Sequence, residues 1–177
     1  VTKLVVNTAW LGHQIEDYFS DQLIDVFSRE PAYLLPSMLS KSEQNLKIKY
    51  LYTLQYSHEG VDFGGALETA GGIVRAMPML CSADENDIFW VLAGDVYAPN
   101  FSFSQESVEK FKDGNKLAHI WLVPNPEHNA QGDFGLQDDG LALNESGANG
   151  QKYTFSTIAL YRKSFFSLPY CGIAEGN

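Results

Sequence analysis

The chain has 177 residues, 45% of them hydrophobic and 19% charged, the make-up of an ordinary folded domain and not of a disordered segment. Twelve Lys and Arg stand against 22 Asp and Glu, a net charge of -10. That balance argues against a nucleic-acid binder, which needs a basic surface to displace counterions, and against an anionic membrane partner. No apolar run reaches the roughly 18 to 20 residues of a transmembrane helix. The two cysteines, Cys81 and Cys171, form no disulfide framework or metal motif, so a reducing, cytoplasmic setting is expected.

In chain order, Leu4 to Val6 reads as a buried strand. Gly12 to about Phe27 reads as an amphipathic helix, because Leu11, Ile15, Phe19, Leu23 and Phe27 recur every four residues. Pro31 and Pro36 break the stretch from Arg29 to Asn45. Leu46 to Gln55 alternates as a strand, and Ser57 to Leu67 reads as a glycine-bearing loop. Thr69 to about Leu80 is expected to be a helix with Thr69 as its N-cap. The apolar run Ile88 to Leu92 is the best buried strand, ending at Gly94-Asp95. A short helix from Gln105 to Lys112, closed by Gly114, precedes a strand from Ala118 to Val123. Gln131 to Gly150 is expected to hold a hairpin around Asp138-Asp139-Gly140. Tyr153 to Tyr161 is the last strand, and Lys163 to Phe166 starts a helical turn. Strands alternate with helices, which predicts an α/β fold with a mainly parallel sheet.

Three places could carry chemistry. Asp95 follows Gly94 at the end of the apolar strand, where open α/β sheets bind ligands. A carboxylate there suits a hard, oxygen-seeking magnesium ion, although a turn Asp that caps its own backbone satisfies the spacing equally well. Leu67-Glu68-Thr69-Ala70-Gly71-Gly72-Ile73 brings a glycine-containing turn into a helix. Its N–H groups could meet an anion or a carbonyl, or its glycines could simply permit tight packing. Asp133, in Gly132-Asp133-Phe134-Gly135, could accept hydrogen bonds from sugar hydroxyls or could again be a turn residue. His13, His58, His119 and His128 have no zinc-ligand spacing. Ser57-His58-Glu59 are adjacent residues and cannot form a triad, which is a spatial arrangement. Between Tyr50 and Glu109 the sole cation is Arg75, too little charge to cradle a triphosphate.

The order of these motifs resembles the sugar-1-phosphate nucleotidyltransferase family, closest to its bacterial N-acetylmuramate-1-phosphate uridylyltransferase branch, which is similar to mannose-1-phosphate guanylyltransferases. The resemblance is carried by Val5-Val6-Asn7-Thr8-Ala9-Trp10-Leu11-Gly12-His13-Gln14-Ile15-Glu16, Tyr56-Ser57-His58-Glu59-Gly60 and Leu67 to Ile73. It continues through Gly94-Asp95-Val96-Tyr97, Asn125-Pro126, Gly132 to Gly135 and Thr154-Phe155-Ser156. It implies a Rossmann-like, GT-A-like domain that joins an NTP to a sugar 1-phosphate and releases pyrophosphate, with Mg2+ as cofactor. It further implies Asp95 as the catalytic, magnesium-binding aspartate. Ser57, Glu68, Thr69 and Gly71 would lie beside the nucleotide, and Asp133 and Ser156 beside the sugar.

Several features depart from that pattern. The family's Gly-rich Arg signature and Pro-Lys-Pro segment are expected before Val1, and a second magnesium aspartate beyond Asn177. Ala93 stands where the closest branch has Asn, and Asp21 to Asn45 and Val61 to Gly65 read as insertions. The expectation is therefore a single nucleotidyltransferase-like domain over 1–177, a fragment of a longer chain. UTP and N-acetylmuramate 1-phosphate are the expected substrates, in cell-wall recycling. The alternatives are a non-catalytic sugar-nucleotide-binding or regulatory module of the same fold, and a guanylyltransferase acting on mannose 1-phosphate.

Overall fold

The structure, a computed structural model, describes residues 3–19, 53–147 and 150–167. The described residues divide into two compact units, one over 3–80 and the other over 81–167. The second half of the helix expected from Gly12 to Phe27, the stretch from Arg29 to Asn45, residues 46–52 and Cys171 lie outside the described residues.

In the first unit, β1 (Lys3–Thr8) and β2 (Thr53–His58) pair in parallel, with Val5 opposite Gln55 and Thr8 opposite His58. Helix α1 (12–19) follows β1 after a turn in which Leu11 takes φ 52°. The strand β2 runs on to His58, and a five-residue helix, α2 (Glu59–Phe63), follows directly. Both replace the first part of the loop expected from Ser57 to Leu67, and only Gly64 to Leu67 is irregular. The reason is visible in Glu59: it is buried, and its Oε2 accepts the Leu67 N–H at 3.0 Å, which folds the segment back on itself. Helix α3 (Glu68–Leu80) packs on β1 and β2 through Gly71, Gly72, Ile73 and Ala76. A Cβ on Gly72 would stand 2.5 Å from Glu59 Oε1 and 2.6 Å from the Asn7 side-chain nitrogen. The glycine is therefore demanded by close approach. Thr69 lies inside this helix and is not its N-cap; Glu68 starts it with φ 59°.

The second unit is built on a three-stranded antiparallel sheet in the order β3–β7–β4. Strand β3 is Ile88–Val91, β4 is Ala118–Val123 and β7 is Thr154–Arg162. The core of the unit is Phe89, Phe111, Ile158, Ala159, Leu160 and Phe166. Helix α4 (Gln105–Asp113) begins at Ser104, whose Oγ accepts the Ser107 N–H at 3.1 Å, and ends at Gly114. Glu106 lies in its first turn and Lys110 and Lys112 in its last, the arrangement the helix dipole favours. Between β4 and β7, β5 (Gly135–Leu136) and β6 (Ala142–Leu143) form the expected hairpin around Asp138-Asp139-Gly140.

The class is α/β, but the expectation of a mainly parallel sheet is corrected. Among the described residues one strand pair is parallel, and β3, β4, β5, β6 and β7 pair antiparallel. The cause is that β7 enters the sheet between β3 and β4 and runs against both. No helix among the described residues is long and apolar enough to cross a membrane.

Candidate functional site

The candidate residues divide between the two units. Ser57, Glu68, Thr69 and Gly71 lie in the first; Asp95, Asp133 and Ser156 lie in the second.

Ser57 sits on β2 with its side chain fully enclosed, and its Oγ has no hydrogen-bond partner among the described residues. Its carbonyl accepts the Thr8 hydroxyl at 3.4 Å. Glu68 and Thr69 are exposed in the first turn of α3, whereas Gly71 is buried. The helix start therefore presents two polar side chains to solvent and keeps its glycines for packing. Arg75, further along α3, is engaged: its Nη2 donates to Asp62 Oδ2 at 2.5 Å, and its guanidinium lies 5.7 Å from the Phe63 ring centre. A groove of about 520 Å³ opens at the carboxyl ends of β1 and β2, lined among others by Thr8, Gly12, His13, Glu16 and His58. His58 Nδ1 lies 3.1 Å from Glu16 Oε1 across it. Ser57, Glu68, Thr69 and Gly71 are not among the residues that line this groove.

In the second unit, Asp95 occupies a turn just past β3. The Val96 N–H reaches the Ala93 carbonyl at 3.5 Å, which leaves Gly94 and Asp95 at the centre of the turn. Both are exposed, and a Cβ on Gly94 would meet nothing within 4 Å. No group of three or more His, Cys, Asp or Glu side chains among the described residues is arranged to hold a metal. A single open carboxylate still fits magnesium, which binds through one or two carboxylates and fills its remaining positions with water and substrate phosphate.

Asp133 is organised quite differently. Its Oδ2 accepts the Phe155 N–H at 2.8 Å and its Oδ1 accepts the Asn129 side-chain amide at 3.0 Å. These bonds, the Phe155 one first, hold its carboxyl below the ordinary carboxylate value. Asn129 also reaches Thr154 Oγ1 at 3.2 Å, and that hydroxyl donates to Asn125 Oδ1 at 3.0 Å. Asn125 in turn donates to the Ala130 and Lys152 carbonyls. Gly132 must be glycine on two counts: φ is 67°, and a Cβ would lie 2.7 Å from Asn125 Oδ1. Asp133 is thus the centre of a polar clamp that ties the loop after β4 to the start of β7. It delivers Phe155 and Ser156 in a fixed place. Ser156 Oγ accepts the Ile158 N–H at 3.3 Å, so its hydroxyl proton can still be donated elsewhere.

Sequence reasoning missed Glu59, Asn129 and Thr157. Asn129 carried a signal, since an Asn four residues before Asp133 in a Pro- and Gly-rich turn is a natural local donor. Thr157 carried none, because nothing in a β-branched residue announces a positive φ.

No family model matches this chain. The N-acetylmuramate alpha-1-phosphate uridylyltransferase of Neisseria meningitidis serogroup B (strain ATCC BAA-335 / MC58) is 34% identical to it over 178 residues. The alignment takes in 99% of this chain and 60% of that protein, so the chain spans about 60% of the relative's length. The similarity supports kinship with sugar-1-phosphate nucleotidyltransferases and agrees with the ordered motifs.

Proposed function

We propose that the natural protein carrying this chain transfers a nucleotidyl group from an NTP to a sugar 1-phosphate. UTP and N-acetylmuramate 1-phosphate are the preferred pair, and cell-wall recycling is the setting. The observation that carries this reading is the 34% identity running through 99% of the chain to a uridylyltransferase. In the reaction, an oxygen of the sugar 1-phosphate attacks the α-phosphorus of the NTP. The bond from the α-phosphorus to the bridging oxygen breaks, and pyrophosphate leaves with that electron pair.

Asp95 would hold Mg2+ in its open turn, and the bound ion would supply charge neutralisation on the phosphates. Glu68 and Thr69 face solvent at the start of α3, where they can hydrogen-bond a base; Gly71 and the enclosed Ser57 would act by shaping the backbone there. Asp133 already accepts two donors inside its loop. It would meet sugar hydroxyls through its remaining lone pairs, and Ser156 would offer its hydroxyl proton.

The test is pyrophosphate release by the intact natural protein with UTP, N-acetylmuramate 1-phosphate and Mg2+, repeated with GTP and mannose 1-phosphate. Release with the first pair, abolished by Asp95→Asn, is the expected result. Release only with the second pair would move the substrates and keep the chemistry. Sugar-nucleotide binding without turnover would overturn the enzymatic reading in favour of a binding module.

A further inference from the structure

Strand β7 carries a backbone outlier. Thr157 takes φ 65°, the left-handed region that a β-branched residue rarely enters, because its branched side chain crowds the backbone there. Such strain persists only where the surroundings over-determine it. The surroundings here are a bulge. β4 and β7 are in register at Ile120↔Ala159 and again at Leu122↔Phe155, with a shift between the two. Trp121 alone therefore faces Ser156, Thr157 and Ile158. Bulges bend a strand and re-aim its side chains.

This bulge aims Thr157 at the turn after β3. Thr157 Oγ1 accepts the Ala93 N–H at 3.4 Å. The Ala93 carbonyl accepts the Val96 N–H at 3.5 Å, closing the turn that has Gly94 and Asp95 at its centre. Ala93 is thus held on both sides, by the turn itself and by a hydroxyl from the neighbouring strand. That hydroxyl is in place only because Thr157 accepts its unfavourable conformation. Ser156 Oγ, bonded to the Ile158 N–H at 3.3 Å, stiffens the same three residues.

We propose that Thr157 is a positioning residue. Its strained backbone sets its hydroxyl under the Ala93 N–H and so fixes the turn that presents Asp95. The role in turnover rests on the nucleotidyl-transfer reading; the link between Thr157 and the turn does not.

Two substitutions separate strain from positioning. Thr157→Gly relieves the backbone and removes the hydroxyl, and Thr157→Ser keeps the hydroxyl on an unbranched side chain. In the intact natural protein, Thr157→Gly should leave Tm unchanged or higher, speed amide hydrogen exchange at Ala93 and lower kcat by at least about ten-fold. Thr157→Ser should keep slow exchange and recover most of kcat. Full activity in Thr157→Gly would overturn the proposal, as would a loss of activity that merely follows a fall in Tm. If the unsubstituted protein transfers no nucleotidyl group, the function reading fails. The exchange rate of Ala93 then decides the positioning role alone: faster in Thr157→Gly supports it, unchanged refutes it.

Discussion

Asp133 shows how one side chain can organise its own loop. Both of its oxygens hold donors, the Phe155 N–H and the Asn129 amide, and both bonds favour the ionised form. Its folded pKa therefore lies below its ordinary value of 3.8. For a depressed carboxylate, the added stability is present above the unfolded pKa and is lost as pH falls through the folded one. Asn at this position would put an amide donor where a second acceptor is needed. The expected outcome is that Asp133→Asn melts below the wild type by a constant margin above about pH 5, and that the margin closes toward pH 2. Thermal unfolding of the two proteins across that range checks it; a margin that widens in acid would contradict the assignment.

The corresponding device between elements is Arg162. This buried residue ends β7 and donates Nη2 to the carbonyls of Phe111, Lys112 and Gly114, and Nε to that of Lys116. The guanidinium also lies 5.4 Å from the Phe111 ring centre. The Gly114 N–H caps only the Phe111 carbonyl at the end of α4, so the guanidinium supplies donors that the last carbonyls of a helix lack, and a cation there complements the helix dipole. Arg162→Met keeps much of the bulk and removes the guanidinium from the Lys112, Gly114 and Lys116 carbonyls, while the Phe111 carbonyl keeps the Gly114 N–H at 3.3 Å. It should lower the unfolding free energy by about 2–4 kcal/mol, read as a lower urea midpoint at unchanged slope. None of this could be read from an Arg near the end of an apolar strand, because its partners lie some fifty residues away. What could be read was local. The helix from Gln105 closed by Gly114 is α4, the apolar run Ile88 to Leu92 holds β3, and Asp138-Asp139-Gly140 turns the β5–β6 hairpin. Strand direction was not legible, since alternating helices and strands describe an order along the chain and not which strand slips between two others. The same limit governed the candidate site. Asp95 and Asp133 stood out as Gly-Asp pairs after strands, but the bulge that places Thr157 beside the Asp95 turn arises from pairing across the sheet.

Taken as a whole, the chain is an acidic body with a net charge of -10. Like charges at that density repel one another more strongly when the chain is compact than when it is unfolded. Salt screens them, the Debye length falling from about 30 Å at 0.01 M to about 8 Å at 0.15 M. Raising NaCl across that range at pH 7.5 should therefore raise Tm by a few degrees, measurable by scanning calorimetry. A fall would mean that paired charges such as Lys163–Glu85 outweigh the net repulsion. The sheet of the second unit also has a temporal consequence. Its middle strand, β7, is the last of the three in sequence, so on the ribosome β3 and β4 emerge with no neighbour in that sheet to pair with. At about 5–20 residues per second, the interval from Val123 to Thr154 lasts a few seconds. Throughout it two apolar strands stand open, and α4 waits for its guanidinium. A nascent chain arrested before Thr154 is thus the species most exposed to chaperone capture, and the arrival of residues 154–162 is the moment at which this unit can close.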